Sequence, residues 1–186
     1  MKKEKLKKIY RYNQESNHFE IEISLDSYRE LFNDWDGSPL RKKDLHPEFV
    51  DYLEGVAEDI PTKYSVDIIF VMFHIKKDDS LETASKQVFK NYFNYLININ
   101  KRLITKAIRK ALLYFLLGFT LLATAVYFKG QSVLSSEIFF EGVFIGGWVF
   151  LWEAVSLSFF RTFELIIKNK RHSRFTQSEI YYIYKP

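Results

Sequence analysis

Apolar and polar positions follow three distinct patterns along this chain, and each predicts a different kind of element. Residues 18–24 (His-Phe-Glu-Ile-Glu-Ile-Ser) alternate with period two, the mark of a half-buried strand. Residues 64–75 hold Val66, Ile68, Ile69, Phe70, Val71 and Phe73 almost without interruption, as expected of a central strand. Residues 178–184 are rich in strand formers and are placed as a third strand in the same small sheet. Helical spacing appears in residues 47–59, where Phe49, Val50, Leu53, Val56 and Ala57 recur behind Pro47 at a first helical position. A short helical stretch over 27–33, capped by the carboxylate of Asp26, and a turn-rich loop over 33–39 complete this part.

The third pattern is continuous apolarity over residues 111–128 and 138–160, with nine residues between the two runs. A hydrocarbon layer of ~30 Å takes about 20 helical residues to cross, so the two runs predict a transmembrane helical hairpin. Between Leu81 and Phe128 there is no Pro and a single Gly, Gly118, so one helix of more than forty residues is expected to begin behind a Ser80 cap and run into the membrane. A break at Asn98 to Asn100 is the alternative. The second helix is expected to overrun the bilayer through Glu164 to Lys170.

Charge orients the hairpin. Lys101, Arg102, Lys106, Arg109 and Lys110 precede the first run, and Arg161, Lys168, Lys170, Arg171 and Arg174 follow the second. The intervening loop has one Lys at its edge, so both chain ends are predicted to be cytoplasmic, in an inner or plasma membrane. Those ten flanking cations, with the basic run at residues 2–8, account for the net charge of +4 through contact with anionic lipid headgroups. Nucleic acid is therefore not an expected partner. The chain has no Cys, which excludes disulfides and thiolate metal sites. The domains read from these patterns are a cytoplasmic α+β domain over 1–100, the hairpin over 101–170 and a C-terminal cytoplasmic strand over 171–186.

Candidate chemistry is sparse. No phosphate loop, nucleophile elbow or zinc-protease motif occurs, and His18, His74 and His172 have no second ligand at metal spacing, so no cofactor is expected. Arg41 and His46 have the Arg-x-x-x-x-His spacing that a nucleolytic family carries on a helix. Here Pro47 turns His46 away from helical dihedrals, which favours a pair that fixes a loop. Asp34, Asp36, Ser38, Arg41, Asp44 and His46 form the candidate loop site, with Arg41 expected to clamp Asp36 or Asp44. On the second run, Gly142 and Gly146 make a Gly-x-x-x-Gly face beside Gly147, with Trp148, Trp152 and Glu153 one turn below. Ala123 and Ala125 on the first helix, or a second copy of the chain, are the expected neighbours. Glu153 needs a partner, and Tyr114, Thr120, Thr124 or Arg161 could supply one.

Residues 36–45 (Asp-Gly-Ser-Pro-Leu-Arg-Lys-Lys-Asp-Leu), Pro47-Glu48, and residues 141–153 with their Gly-Trp-Val-x-x-Trp segment together resemble a family of small two-span membrane proteins of bacteria and archaea. Leu40 and His46 stand where that family has Phe and Asp. The family has no assigned reaction, so the resemblance implies architecture and leaves activity open. The expected function is that of a non-enzymatic membrane component that forms homo-oligomers among membrane lipids, such as a scaffold, sensor or channel-like protein. The alternative is a membrane-anchored enzyme or nucleic-acid effector working through residues 34–46.

Overall fold

The computed structural model describes residues 3–128 and 137–186, and the loop between the apolar runs lies outside the described residues. The chain divides into two units, Met1–Asn98 with Asn169–Pro186, and Ile99–Lys168.

The first unit is built on a four-stranded sheet of order β1-β2-β3-β4, formed by Arg11–Asn13, His18–Leu25, Val66–Phe73 and Ile180–Lys185. β1 is antiparallel to β2, while β2, β3 and β4 are mutually parallel. The β1–β2 turn is held by the Asn13 side-chain oxygen, which accepts from the backbone of Glu15 and Ser16, and by Asn17 at φ 61°, a left-handed conformation that Asn tolerates. Parallel neighbours cannot be joined by a hairpin and need a crossover. The β2–β3 crossover is α2 (Pro47–Asp59), numbered after the short N-terminal α1 (Lys3–Leu6). The β3–β4 crossover leaves along α3 (Asp79–Phe128) and returns along the last turns of α5 (Thr162–Gln177), so the whole second unit is an insertion within one crossover.

The core lies on one sheet face. Phe19, Ile21, Ile68, Phe70 and Met72 pack under Phe49 and Leu53 of α2, Phe89 and Phe93 of α3, and Phe175 of α5. The Phe93 ring lies 4.6 Å from that of Phe175 and 5.0 Å from that of Phe89. β3 is buried along nearly its whole length, as its nearly continuous apolar run predicts, Asp67 included.

Several local expectations are corrected. The stretch after β2 is a 3-10 turn, Tyr28–Leu31, capped by the Ser27 hydroxyl rather than by Asp26. α3 starts at Asp79, and its first turn is capped by Asp78, whose Oδ1 accepts from the backbone of Ser80 and Leu81, so Ser80 is not the cap. The helix then continues without a break at Asn98 to Asn100. β1 was not expected, because Arg-Tyr-Asn has neither length nor period.

In the second unit α3 meets α4 (Glu137–Ser156), which passes through a π-helical turn, Leu157–Arg161, into α5. Beyond Asn100 at its start, the buried positions here are small: Ala107, Ala111, Gly118 and Ala125 on α3, and Gly147, Ala154 and Thr162 on the return. The α3 set repeats at intervals of four and seven residues, the return set at seven and eight. Seven is two helical turns, and the extra residue is the π insertion, which carries Thr162 onto the face of Gly147 and Ala154. Thr162 then donates its hydroxyl to the Leu157 carbonyl at 3.1 Å. Gly118 and Gly147 are where the backbones meet, since a Cβ built on Gly118 would lie 2.8 Å from the Gly147 carbonyl oxygen.

Both apolar helices are long and apolar enough to cross a membrane, and only 17% and 11% of their most apolar windows are buried.

Candidate functional site

The loop over residues 33–46 closes on itself. Phe32 and Leu45 form an antiparallel bridge, the Asn33 N–H donates to the Asp44 carbonyl at 2.9 Å, and the His46 N–H donates to the Leu31 carbonyl at 2.9 Å. Inside it, the Asp36 carboxylate accepts from the backbone N–H of Ser38 at 2.9 Å and of Asp44 at 2.7 Å. The Ser38 side chain, and then these backbone donors, hold the Asp36 carboxyl below the usual carboxylate range. Among the described residues, the Asp36 carboxylate thus ties the two arms of the loop together through these donors. The Arg41 side chain, expected to clamp Asp36 or Asp44, lies outside the described residues.

Among the described candidates, Asp34 and His46 share one groove and Asp44 lies at another. Asp34 and His46 line a groove of about 620 Å³ with Ile23, Ser24 and Leu25 at the carboxyl end of β2, Arg29 and Glu30 of the 3-10 turn, and Glu48 and Tyr52 of α2. Asp44 lies with Lys42, Lys43, Asn91 and Tyr92 at a separate cavity of about 340 Å³. The first groove sits where open parallel sheets receive ligands, at a strand's carboxyl end beside the start of the following helix. His46 precedes α2 without capping it by its side chain, which leaves its ring to line the groove. Arg29 and His46 face Glu30, Asp34 and Glu48 there, a mixed-charge lining rather than an anion cradle. Arg29, Glu30, Glu48 and Tyr52 were not identified from sequence, because only the parallel β2–α2–β3 path brings them beside the loop.

Two histidines pair with carboxylates in the first unit. His18 Nδ1 lies 2.9 Å from Asp67 Oδ2, and the buried His172 ring places Nε2 2.9 Å from Glu54 Oε1. Asp67 also accepts from the Glu179 N–H at 3.1 Å, so the pair ties the starts of β2, β3 and β4 together. Among the described residues no group of three His, Cys, Asp or Glu side chains is placed to hold a metal ion.

On α4, the expected interface divides. Gly147 belongs to the seam with α3, facing Gly118 and Leu122, whereas among the described residues a Cβ on Gly142 or Gly146 would meet nothing within 4 Å. Ala125 is buried in the seam, and Ala123 is exposed. Trp148, Trp152 and Glu153 stay exposed and line an apolar groove of about 720 Å³ with Tyr114, Phe144 and Ile145. Glu153 makes no hydrogen bond or ion pair among the described residues. Two of its expected partners are committed within their own helix, Thr120 donating to the Leu116 carbonyl and Thr124 to the Thr120 carbonyl, each at 2.8 Å.

Compared with family models, with curated proteins and with solved structures, the chain finds no match in any of the three.

Proposed function

We propose that this chain is an integral membrane protein whose second unit crosses the bilayer as a helical hairpin, whose first unit lies on the cytoplasmic side, and which acts as a non-enzymatic component that assembles with copies of itself. Exposed apolar surface supports the membrane placement: Phe119, Val149, Trp152 and Phe160 are 61–70% accessible, on a scale that water does not tolerate as a continuous sleeve. The topology agrees with it, since β3 and β4 share one sheet and the helices between them must leave and return on the same side.

Self-assembly rests on one observation. Among the described residues the Gly142 and Gly146 face is open while the Gly118 and Gly147 seam closes the hairpin, and that open face lies on the helix that carries Glu153, which has no described partner. A neighbouring copy would fill the glycine face and shield the carboxylate from hydrocarbon. The test is the mass of the detergent-solubilised particle: Gly146→Leu should shift an oligomer to monomer with the melting temperature of the hairpin unchanged. A wild-type particle of monomer mass overturns the proposal.

A second reading is favoured by the groove at the end of β2. If the protein is instead an enzyme or effector, neutralising Asp34 or His46 should abolish its cellular activity while particle mass and stability stay as in the wild type.

A further inference from the structure

We infer that the cationic stripe of Lys101, Arg102, Lys106 and Arg109 on α3 is a binding site for the headgroup phosphates of anionic phospholipids, an inference that rests on the membrane placement proposed above. Lys101, Thr105 and Arg109 follow one another at four-residue intervals, and Arg102 and Lys106 form the adjacent row. Together they line a groove of about 490 Å³. All four cations are exposed, and among the described residues none has an ion pair. No acid is near in sequence either, because residues 83–136 contain neither Asp nor Glu. Thr105 donates its hydroxyl to the Lys101 carbonyl at 3.0 Å, so the proton donors offered to the groove are the cations alone.

Four like charges within nine residues repel one another, and a bound phosphate relieves that repulsion. The guanidinium groups can take two phosphate oxygens each, while the ammonium groups act as point charges. What selects a lipid over other phosphates is the surface that continues from the stripe. Ala107 and Ala111 turn into the seam, whereas Leu103, Ile108, Leu112 and Leu113 remain exposed around and beyond the cations. At 1.5 Å per residue the stripe runs about 12 Å along the helix and ends beside the start of the apolar run, where a headgroup layer would lie. An amphiphile with a phosphate and acyl chains matches both parts; a free phosphate or a nucleic acid matches one.

The full chain, purified in dodecyl maltoside, would be titrated with dioctanoyl phosphatidylglycerol, dioctanoyl phosphatidylcholine or inorganic phosphate and read by native mass spectrometry. The expected result is retained phosphatidylglycerol at least about tenfold tighter than phosphatidylcholine, with no competition by equimolar phosphate. Combined Lys101→Gln, Arg102→Gln, Lys106→Gln and Arg109→Gln should erase the preference, and Lys101→Arg with Lys106→Arg should keep it. Should the fourfold variant misfold, Arg102→Gln with Lys106→Gln alone should still reduce the preference severalfold. Equal retention of both lipids, displacement by inorganic phosphate, or tighter binding of a short single-stranded RNA would each overturn the inference. Alkaline carbonate washing of membranes separates this from the parent reading: a washed-off wild-type chain refutes the membrane placement, while a retained chain without lipid preference refutes only the stripe.

Discussion

Arg174 concentrates more structural consequence than any other charged side chain of the first unit. Its Nη1 donates to the Ile60 carbonyl at 2.9 Å and to those of Pro61 and Tyr64 at 3.3 Å, and its Nη2 donates to the Ala57 carbonyl at 2.8 Å. These are carbonyls that the end of α2 and the turn behind it leave without helical partners, at the negative pole of that helix. Burial pushes the guanidinium down to about 10, which still leaves it charged at neutral pH. Arg174→Met should therefore cost about 3 kcal/mol of unfolding free energy, read by denaturant titration, and Arg174→Lys should recover only part of it. By its place in the sequence Arg174 belongs with the ten cations that flank the apolar runs and are expected at lipid headgroups, whereas its guanidinium is buried on backbone carbonyls. Nothing local distinguishes it from Arg171, which is more accessible and pairs with Glu58; the carbonyls it serves lie over a hundred residues away. Asp36 was legible as a loop residue because Asp followed by Gly-Ser-Pro forms turns by local chemistry, and among the described residues its partners are the Ser38 side chain and the backbone N–H groups of Ser38 and Asp44. Tyrosines add a pH dependence. Tyr10 donates to Asp59 at 2.7 Å and is pushed up to about 12, by burial first and then by that carboxylate, while burial first also raises Tyr182 and Tyr184. A phenol whose pKa is higher folded than unfolded holds its proton longer in the native state. Its contribution is complete below the unfolded value near 10 and is lost as pH climbs through the folded one. Melting temperature should thus fall above pH 10, with tyrosinate absorbance appearing together with unfolding; tyrosinate forming in a still-folded chain would contradict this.

At the scale of elements, helix spacing was the most readable feature and helix register the least. The unbroken α3 follows from the absence of Pro and the persistence of the apolar period, and α2 from its buried stripe behind Pro47. Gly-x-x-x-Gly is equally visible as a pattern, yet the hairpin closes on Gly118 and Gly147, which are single members of a seven-residue repeat of small side chains. The π turn could not be read at all, because Leu-Ser-Phe-Phe-Arg has no Pro or Gly to announce it and its effect is a one-residue shift in facing. Different glycines should consequently fail in different ways. Gly118→Leu places a side chain into the Gly147 carbonyl and the Leu151 side chain, so it should lower the melting temperature of the hairpin and open it to protease. Gly142→Leu enters open space and should leave both measurements unchanged, altering only particle mass.

For the whole molecule, the decisive fact is where the apolar helices are inserted. The sequence was divided into a domain over 1–100, a hairpin and a separate terminal strand, with that strand expected to return to the sheet. β4 does return, pairing Ile180 with Ile68 through Lys185 with Phe73, and the unit it completes takes in everything outside Ile99–Lys168. Sharing one sheet has a topological consequence for the proposed membrane placement: with β3 and β4 paired, the number of membrane crossings between them must be even, independently of where any Lys or Arg lies. Reporters placed before Met1 and after Pro186 should accordingly read the same compartment, the cytoplasm on the orientation proposed above. Opposite signals from the two ends would break either the sheet or the hairpin. The same insertion makes a sharper prediction. α3 and α5 pack within the first unit through Phe93 against both His172 and Phe175, so the ends left by removing residues 99–168 belong to helices already in contact. Joining Asn98 to Asn169 by a short Gly-Ser linker closes a loop whose entropy cost grows only slowly with length, and it keeps the buried cluster of Phe89, Phe93 and Phe175 intact. The resulting protein should purify without detergent as a monomer, show a mixed α/β circular dichroism spectrum and melt cooperatively. If it precipitates or shows no cooperative transition, the first unit depends on the helices it carries and the insertion view of this fold is wrong.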